Sequence, residues 1–246
     1  MKIDEPAFVT ELAKRSVDGF VLRTMTDTKR AIIDRLATLR GMPASTLGTV
    51  VDAIAAAALA PPRSAVKKRS TVKKPFLHHG DLHIDGNLTI VAPYFVTGDL
   101  DVTGTIDHIG PDSFAAVNGE VTVANLRTSG EFCCSDIHAK GIVYGDYNDN
   151  TLCCGTINAR IVISDDHDIQ HAGVRADLYL DIDAYAQGRG KGVAKKLAAH
   201  IHPEHFERDD DGRELLSHEK VFAALRAGKR VFRPVKRPAP KRRLRY

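Results

Sequence analysis

The sequence predicts a mainly-β protein: a parallel β-solenoid (β-helix) with an N-terminal helical segment and a C-terminal helix. Three observations carry this. A phrase of glycine, acid, apolar, any, apolar recurs at Gly80-Asp81-Leu82-His83-Ile84 and Gly98-Asp99-Leu100-Asp101-Val102, with looser copies opening at Gly119-Glu120 and Gly130-Glu131. Each phrase alternates apolar and polar residues for three to five positions and then turns at Gly, Asn or Asp, which describes a short strand with one buried face. Gly80, Gly98, Gly119 and Gly141 lie 18, 21 and 22 residues apart, enough chain for one three-sided turn. No single phrase buries enough to stand alone, so stacking is the solution. An antiparallel sandwich, the alternative, prefers longer strands joined by two-residue hairpins.

Residues 1–60 read as a helical domain or cap. Phe8, Leu12 and Val17 recur at roughly helical spacing. A second segment, about 26–40, places Ile32, Ile33, Leu36 and Leu39 on one face before Gly41 and Pro43. A third begins near Ser45 and ends in an alanine run before Pro61-Pro62. Such a unit can cap the open edge of the solenoid. Residues 61–75 hold six bases and no acid and are expected to be a basic linker.

The solenoid is assigned to residues 76–185, with inward positions at Leu82, Ile84, Leu100, Val102, Val121, Val123, Ile161 and Ile163. This stretch holds 17 Asp and Glu against 4 Lys and Arg. The bases concentrate in 61–75 and in the tail, so the near-neutral total of +4 conceals an acidic rod with basic arms. Residues 186–233 form a C-terminal helical segment, with a helix over 217–227 capped by Ser217 and stopped by Gly228. Val221, Phe222 and Leu225 are its expected buried face. The tail, 234–246, is too rich in Pro and charge to pack and is expected to be disordered. It lacks an aromatic before Tyr246, which argues against nucleic-acid binding through it.

No segment approaches the roughly 20 apolar residues that span a bilayer. The charged start predicts no signal peptide, so a cytoplasmic protein is the expectation. Two Cys doublets, Cys133-Cys134 and Cys153-Cys154, are spaced badly for zinc. Alternation instead turns Cys134 and Cys154 inward as small fillers.

The densest chemistry is Ser164-Asp165-Asp166-His167-Asp168, with His171 nearby. Such a cluster can bind a divalent metal or move protons. Its spacing matches neither HExxH nor an EF-hand loop, and Asp-rich turns are ordinary solenoid corners. The remaining histidines lack a nucleophile or fixed acid at recognisable spacing.

GDLHIDGNLTI, GDLDVTGTI, GIVYGDYNDNTLCCGTINARIVISDDHD and ELLSHEKVFAALRAGKRVFR resemble a family of bacterial β-solenoid proteins, identified as polymer-forming by likeness to the bactofilin cytoskeletal proteins. The resemblance covers roughly residues 76–233. Members occur beside bacterial toxins, which implies an immunity role; no catalytic residue is implied. The irregular turns and flanking domains depart from bactofilins.

The expectation is therefore a non-enzymatic protein-binding module, an immunity protein that occludes the basic active-site cleft of a bacterial toxin. Asp99, Asp101, Asp165, Asp166, His167 and Asp168 are the candidate partner-binding residues, without cofactor or metal. A self-assembling bactofilin-like scaffold and a metal-dependent enzyme using Asp165–His171 are the alternatives.

Overall fold

The computed structural model describes residues 3–27, 29–110, 113–146, 150–182, 192–210 and 212–234. The chain divides into two compact units, Met1–Arg189 and Gly190–Tyr246.

The first unit is a parallel β-solenoid of about six turns with four helices on its side. Its strands are β1 (Ala65–Val72), β2 (Phe76–His78), β3 (Leu82–Ile90), β4 (Tyr94–Val96), β5 (Leu100–His108), β6 (Phe114–Val117) and β7 (Val121–Thr128). They continue as β8 (Glu131–Cys133), β9 (Ile137–Ala139), β10 (Ile142–Asp146), β11 (Thr151–Asn158), β12 (Ile161–Asp165), β13 (Asp168–Arg175) and β14 (Leu178–Asp181). Each strand pairs in parallel with strands one turn away, as in β1–β3–β5–β7 and β2–β4–β6–β8.

Three walls result, each with an apolar column facing in. Leu82, Leu100, Val121 and Ile137 register through the first wall. Leu88, Ile106, Leu126, Val143 and Val162 do so in the second. The third stacks Tyr94, Ala115, Phe132, Leu152 and Ile169. These columns form one continuous core. The expected inward set holds from Leu82 to Val123. In β12, however, Val162 joins that core, while Ile161 and Ile163 are buried outside it. Three apolar residues in a row hide which parity faces in; register with Val143 settles it.

Residues 61–75, expected to be a tether, contain β1. Its bonds to β3 pair Ala65 with Leu82 and Val72 with Ile90, so the basic stretch is the solenoid's first turn.

The helices are α1 (Glu5–Lys14), α2 (Gly19–Met25), α3 (Ile32–Leu36) and α4 (Ala44–Ala57). The segment expected at 26–40 is helical only over α3. The Asp4 carboxylate accepts from Ala7 N–H at 3.1 Å and caps α1; Asp18 caps α2 through Phe20 N–H at 2.7 Å. Buried Arg35 joins three helices, pairing with Glu5 at 2.5 Å and donating to the Met25 carbonyl. Leu47, Val50, Val51 and Ile54 of α4 share a second core with Phe95, Phe114 and Ala116 on the outside of the third wall. Helix α4 therefore lies along a side of the solenoid, against β6, β8 and β11, with α1 packed on it, where a cap across the solenoid's end was expected. A Cβ on Gly48 would sit 2.7 Å from Cys133 Sγ, so the glycine lets α4 approach that wall.

The second unit is more than the expected helical segment. It contains α5 (Val193–Ala198), an antiparallel hairpin of β15 (Phe206–Arg208) and β16 (Glu214–Leu216), and α6 (His218–Arg226). Val221, Phe222 and Ala224 are buried on α6, whereas Leu225 is half-buried. Ser217 holds the N-cap position without a side-chain cap bond, and Gly228 follows at φ +68°. The tail beyond residue 234 lies outside the described residues. Among the described residues no helix is long and apolar enough to cross a membrane.

Candidate partner-binding surface

The six candidate residues occupy two separate places. Asp165, Asp166, His167 and Asp168 form the corner between β12 and β13. Asp99 and Asp101 flank the start of β5, several turns earlier and on a different side of the solenoid.

At the β12–β13 corner, Asp166 adopts φ +52°, a left-handed conformation that Asp tolerates and that reverses the chain tightly. The Ser164 hydroxyl donates to the His167 carbonyl at 2.5 Å and closes the turn. The Tyr144 hydroxyl donates to the Asp165 carboxylate. Asp168 accepts from the Gln170 amide at 2.6 Å. Asp166 and Asp168 are exposed, but His167 is only 1% exposed. Its ring lies over Gly145, where an added Cβ would meet His167 Cδ2 at 2.5 Å. His167 is thus an internal residue that offers no imidazole to a partner. A dent of about 220 Å3 opens here, lined among others by Asp166, Asp168, Tyr179 and Asp181.

Behind the corner the interior turns polar. Buried His108 meets the Thr128 hydroxyl through Nδ1 at 2.8 Å. Burial, reinforced by nearby His167, pushes its pKa down to about 3, so it stays neutral at ordinary pH. On the second wall Arg127 pairs with Asp146 at 2.8 Å and lies 3.9 Å from Asp107. Among the described residues no three His, Cys, Asp or Glu side chains converge as a metal site.

Asp99 is exposed, yet its carboxylate accepts from Glu120 N–H at 2.9 Å and so holds the next corner. Asp101 faces out of the first wall, where His83 Nδ1 donates to it at 2.8 Å. Further along the same outward row, Asn158 donates to His138 at 3.3 Å, and His138 approaches Glu120 at 3.3 Å. This row displays one side chain per turn on a rigid backbone, at the roughly 4.8 Å spacing of adjacent strands.

One group stands out that sequence reasoning passed over. Glu131, read as another corner acid, reaches the N-terminus of α4 and accepts from Ala44 N–H at 3.0 Å. Pro43 at the N-cap has no side chain for that task. Burial raises the Glu131 pKa to about 7, against the opposing bonds from Ala44 and Thr151. The contact spans 87 residues of chain, and no local pattern announces it. The cysteines behave as expected of core residues. Cys134 and Cys154 line the solenoid interior, and Cys133 registers with Cys153 on the next turn. Burial pushes the Cys133 thiol up to about 12, with Cys153 adding to the effect.

Compared with known proteins, the chain matches no family model, no curated protein and no solved structure. The β-solenoid fold stands on the geometry above.

Proposed function

We propose that the protein is a non-enzymatic protein-binding module whose acidic solenoid engages a basic partner, in the manner of an immunity protein laid over a toxin's active-site cleft. The observation that supports this most is the charge of residues 76–185, with 17 acids against 4 bases, carried on a rigid scaffold. Exposed Asp166 and Asp168 are its foremost contacts, with Asp101 on the first wall. Oriented carboxylates steer a cationic partner and block a cleft that otherwise takes an anionic substrate. Asp99 and His167 serve the fold and act on the partner only by holding these residues in place. The test is capture of partners from the native cell by tagged full-length protein, with mass spectrometry. One basic protein, lost with Asp166→Asn/Asp168→Asn, supports the reading. Recovery of that protein unchanged by the double variant contradicts it.

One observation favours a second reading, head-to-tail self-association. Arg63, Lys67, Lys68, Lys73 and Lys74 cluster in or beside the first turn, whereas Asp165, Asp166, Asp168, Asp177 and Asp181 cluster around the last strands. The two ends of the strand stack carry opposite charge, so one copy's first turn complements another's last. Lysines along β1 oppose simple edge pairing, however, which ranks this reading second. Sedimentation at rising protein concentration separates the two.

A further inference from the structure

The apolar core of the solenoid changes character at its first turn. Inward positions of β1 are set by register: Ala65 with Leu82, Lys67 with Ile84, Ser70 with Leu88 and Val72 with Ile90. Two of these four are polar and long or small, so the core is left unfilled. Beneath them lies an open cavity of about 410 Å3 with Leu82, Ile84, Leu88 and Tyr94 in its lining. Lys67, Lys73 and Lys74 stand around it. That volume falls within the roughly 300–1,000 Å3 typical of small-molecule sites.

Two details make this more than a loosely packed end. Phe76 stacks on Tyr94 with ring centroids 5.0 Å apart and planes 15° from parallel, and Lys67 Nζ sits 4.1 Å over the Phe76 ring. The aromatic pair is a firm wall, with a cation held over the face of Phe76. Tyr94 is 1% exposed, and its hydroxyl has no hydrogen-bond partner among the described residues. A buried hydroxyl left unpaired is destabilising, and an acceptor entering the cavity relieves this. Burial raises the Tyr94 pKa, so the group remains a neutral O–H donor at physiological pH.

We infer that this mouth binds a single-chain amphipathic anion, a fatty carboxylate, with its alkyl chain on Leu82, Ile84 and Leu88 and its head among the lysines and the Tyr94 hydroxyl. The chemistry selects each half of the ligand. Three ammonium groups exclude a cationic head. The aliphatic floor offers nothing to a sugar or a base, whereas it shields methylenes from water. The site is independent of the acidic corner and of the partner proposed for it.

The test is calorimetric titration of the full-length protein with dodecanoate below its micelle concentration, beside dodecylammonium of equal chain length. One dodecanoate per chain is expected, bound at least about tenfold more tightly than the ammonium. Tyr94→Phe, which keeps the stack and removes only the hydroxyl, should weaken dodecanoate about fivefold to tenfold. Ser70→Phe, which fills the cavity, should abolish binding. Equal binding of the two ions, no binding of dodecanoate, or full affinity in Ser70→Phe overturns the site. Should Ser70→Phe fail to fold by circular dichroism, Lys73→Glu/Lys74→Glu takes its place. Unchanged affinity there and in Tyr94→Phe overturns the proposal equally.

Discussion

The Asp81 carboxylate accepts a hydrogen bond from the backbone N–H of Asp99 at 3.0 Å, one turn further along the solenoid. Asp99 does the same for Glu120 at 2.9 Å, and Asn87 for Thr105 at 2.9 Å. At a corner the chain leaves one wall for the next, and its N–H groups lose the regular ladder. A short acid or amide on the turn below restores a partner. Because that side chain lies directly under the next corner, the residue there must be glycine. An added Cβ on Gly98 overlaps Asp81, and one on Gly119 overlaps Asp99. The recurring Gly-Asp is therefore one contact repeated: each Asp supports the next turn and each Gly makes room for it.

Gly119→Ala should destabilise the protein by about 1–3 kcal/mol through overpacking. Asp99→Ala should cost about 1–2 kcal/mol through the orphaned Glu120 N–H. Since the two share one contact, the double variant should be less destabilised than the sum of the singles. Denaturant titrations of all four proteins give the coupling; strict additivity would break the link between Gly and Asp.

Val102→Asp places an unpaired charge in a core position that is 1% exposed, and a loss of several kcal/mol is expected. Thr122→Asp, on the same wall but in the outward row, should stay within about 0.5 kcal/mol. Similar melting temperatures for the two variants would contradict the register.

Glu131 gives the fold a pH dependence of known sign. Its folded pKa of about 7 lies above the ordinary 4.5. The stability tied to the protonated form is complete below about pH 4.5 and is lost as pH rises through 7. The shift corresponds to as much as about 3 kcal/mol. His108, with its depressed pKa, pulls the other way: it is destabilising as pH falls below 6.5. The clean readout is thus the difference between wild type and Glu131→Gln. That difference should move in favour of the variant from pH 5 to pH 8; a flat difference would show that Glu131 titrates normally.

The thiols should be slow to alkylate in the native state, because burial raises Cys133, Cys134 and Cys153 and the thiolate is the reactive form. Mass spectrometry after iodoacetamide at pH 8 should find native protein largely unmodified and unfolded protein modified at all four cysteines.

The first wall was legible in the sequence because its outer side faces water. Leu82-His83-Ile84 and Leu100-Asp101-Val102 alternate cleanly for that reason. The third wall was not: Tyr94-Phe95-Val96 and Phe114-Ala115-Ala116 are covered by core on one side and α4 on the other, so no alternation survives. β1 was missed because an edge strand needs only one neighbour, and Lys67 and Ser70 occupy its inward positions without closing the core. At the candidate site, adjacency in sequence was enough to place Asp165 to Asp168 on one corner. It did not reveal that His167 turns inside over Gly145, nor that Asp99 and Asp101 belong to another side, since both depend on counting turns and corners in three dimensions.

The claim that the solenoid's carboxylates recognise a basic partner is tested most directly by stopped-flow association of the captured, purified partner from low to high salt. Wild-type protein should associate more slowly as salt rises, with dissociation changing less, and Asp166→Asn/Asp168→Asn should show lower rates and a shallower salt dependence. An association rate that is the same at every salt concentration and in both proteins would contradict it.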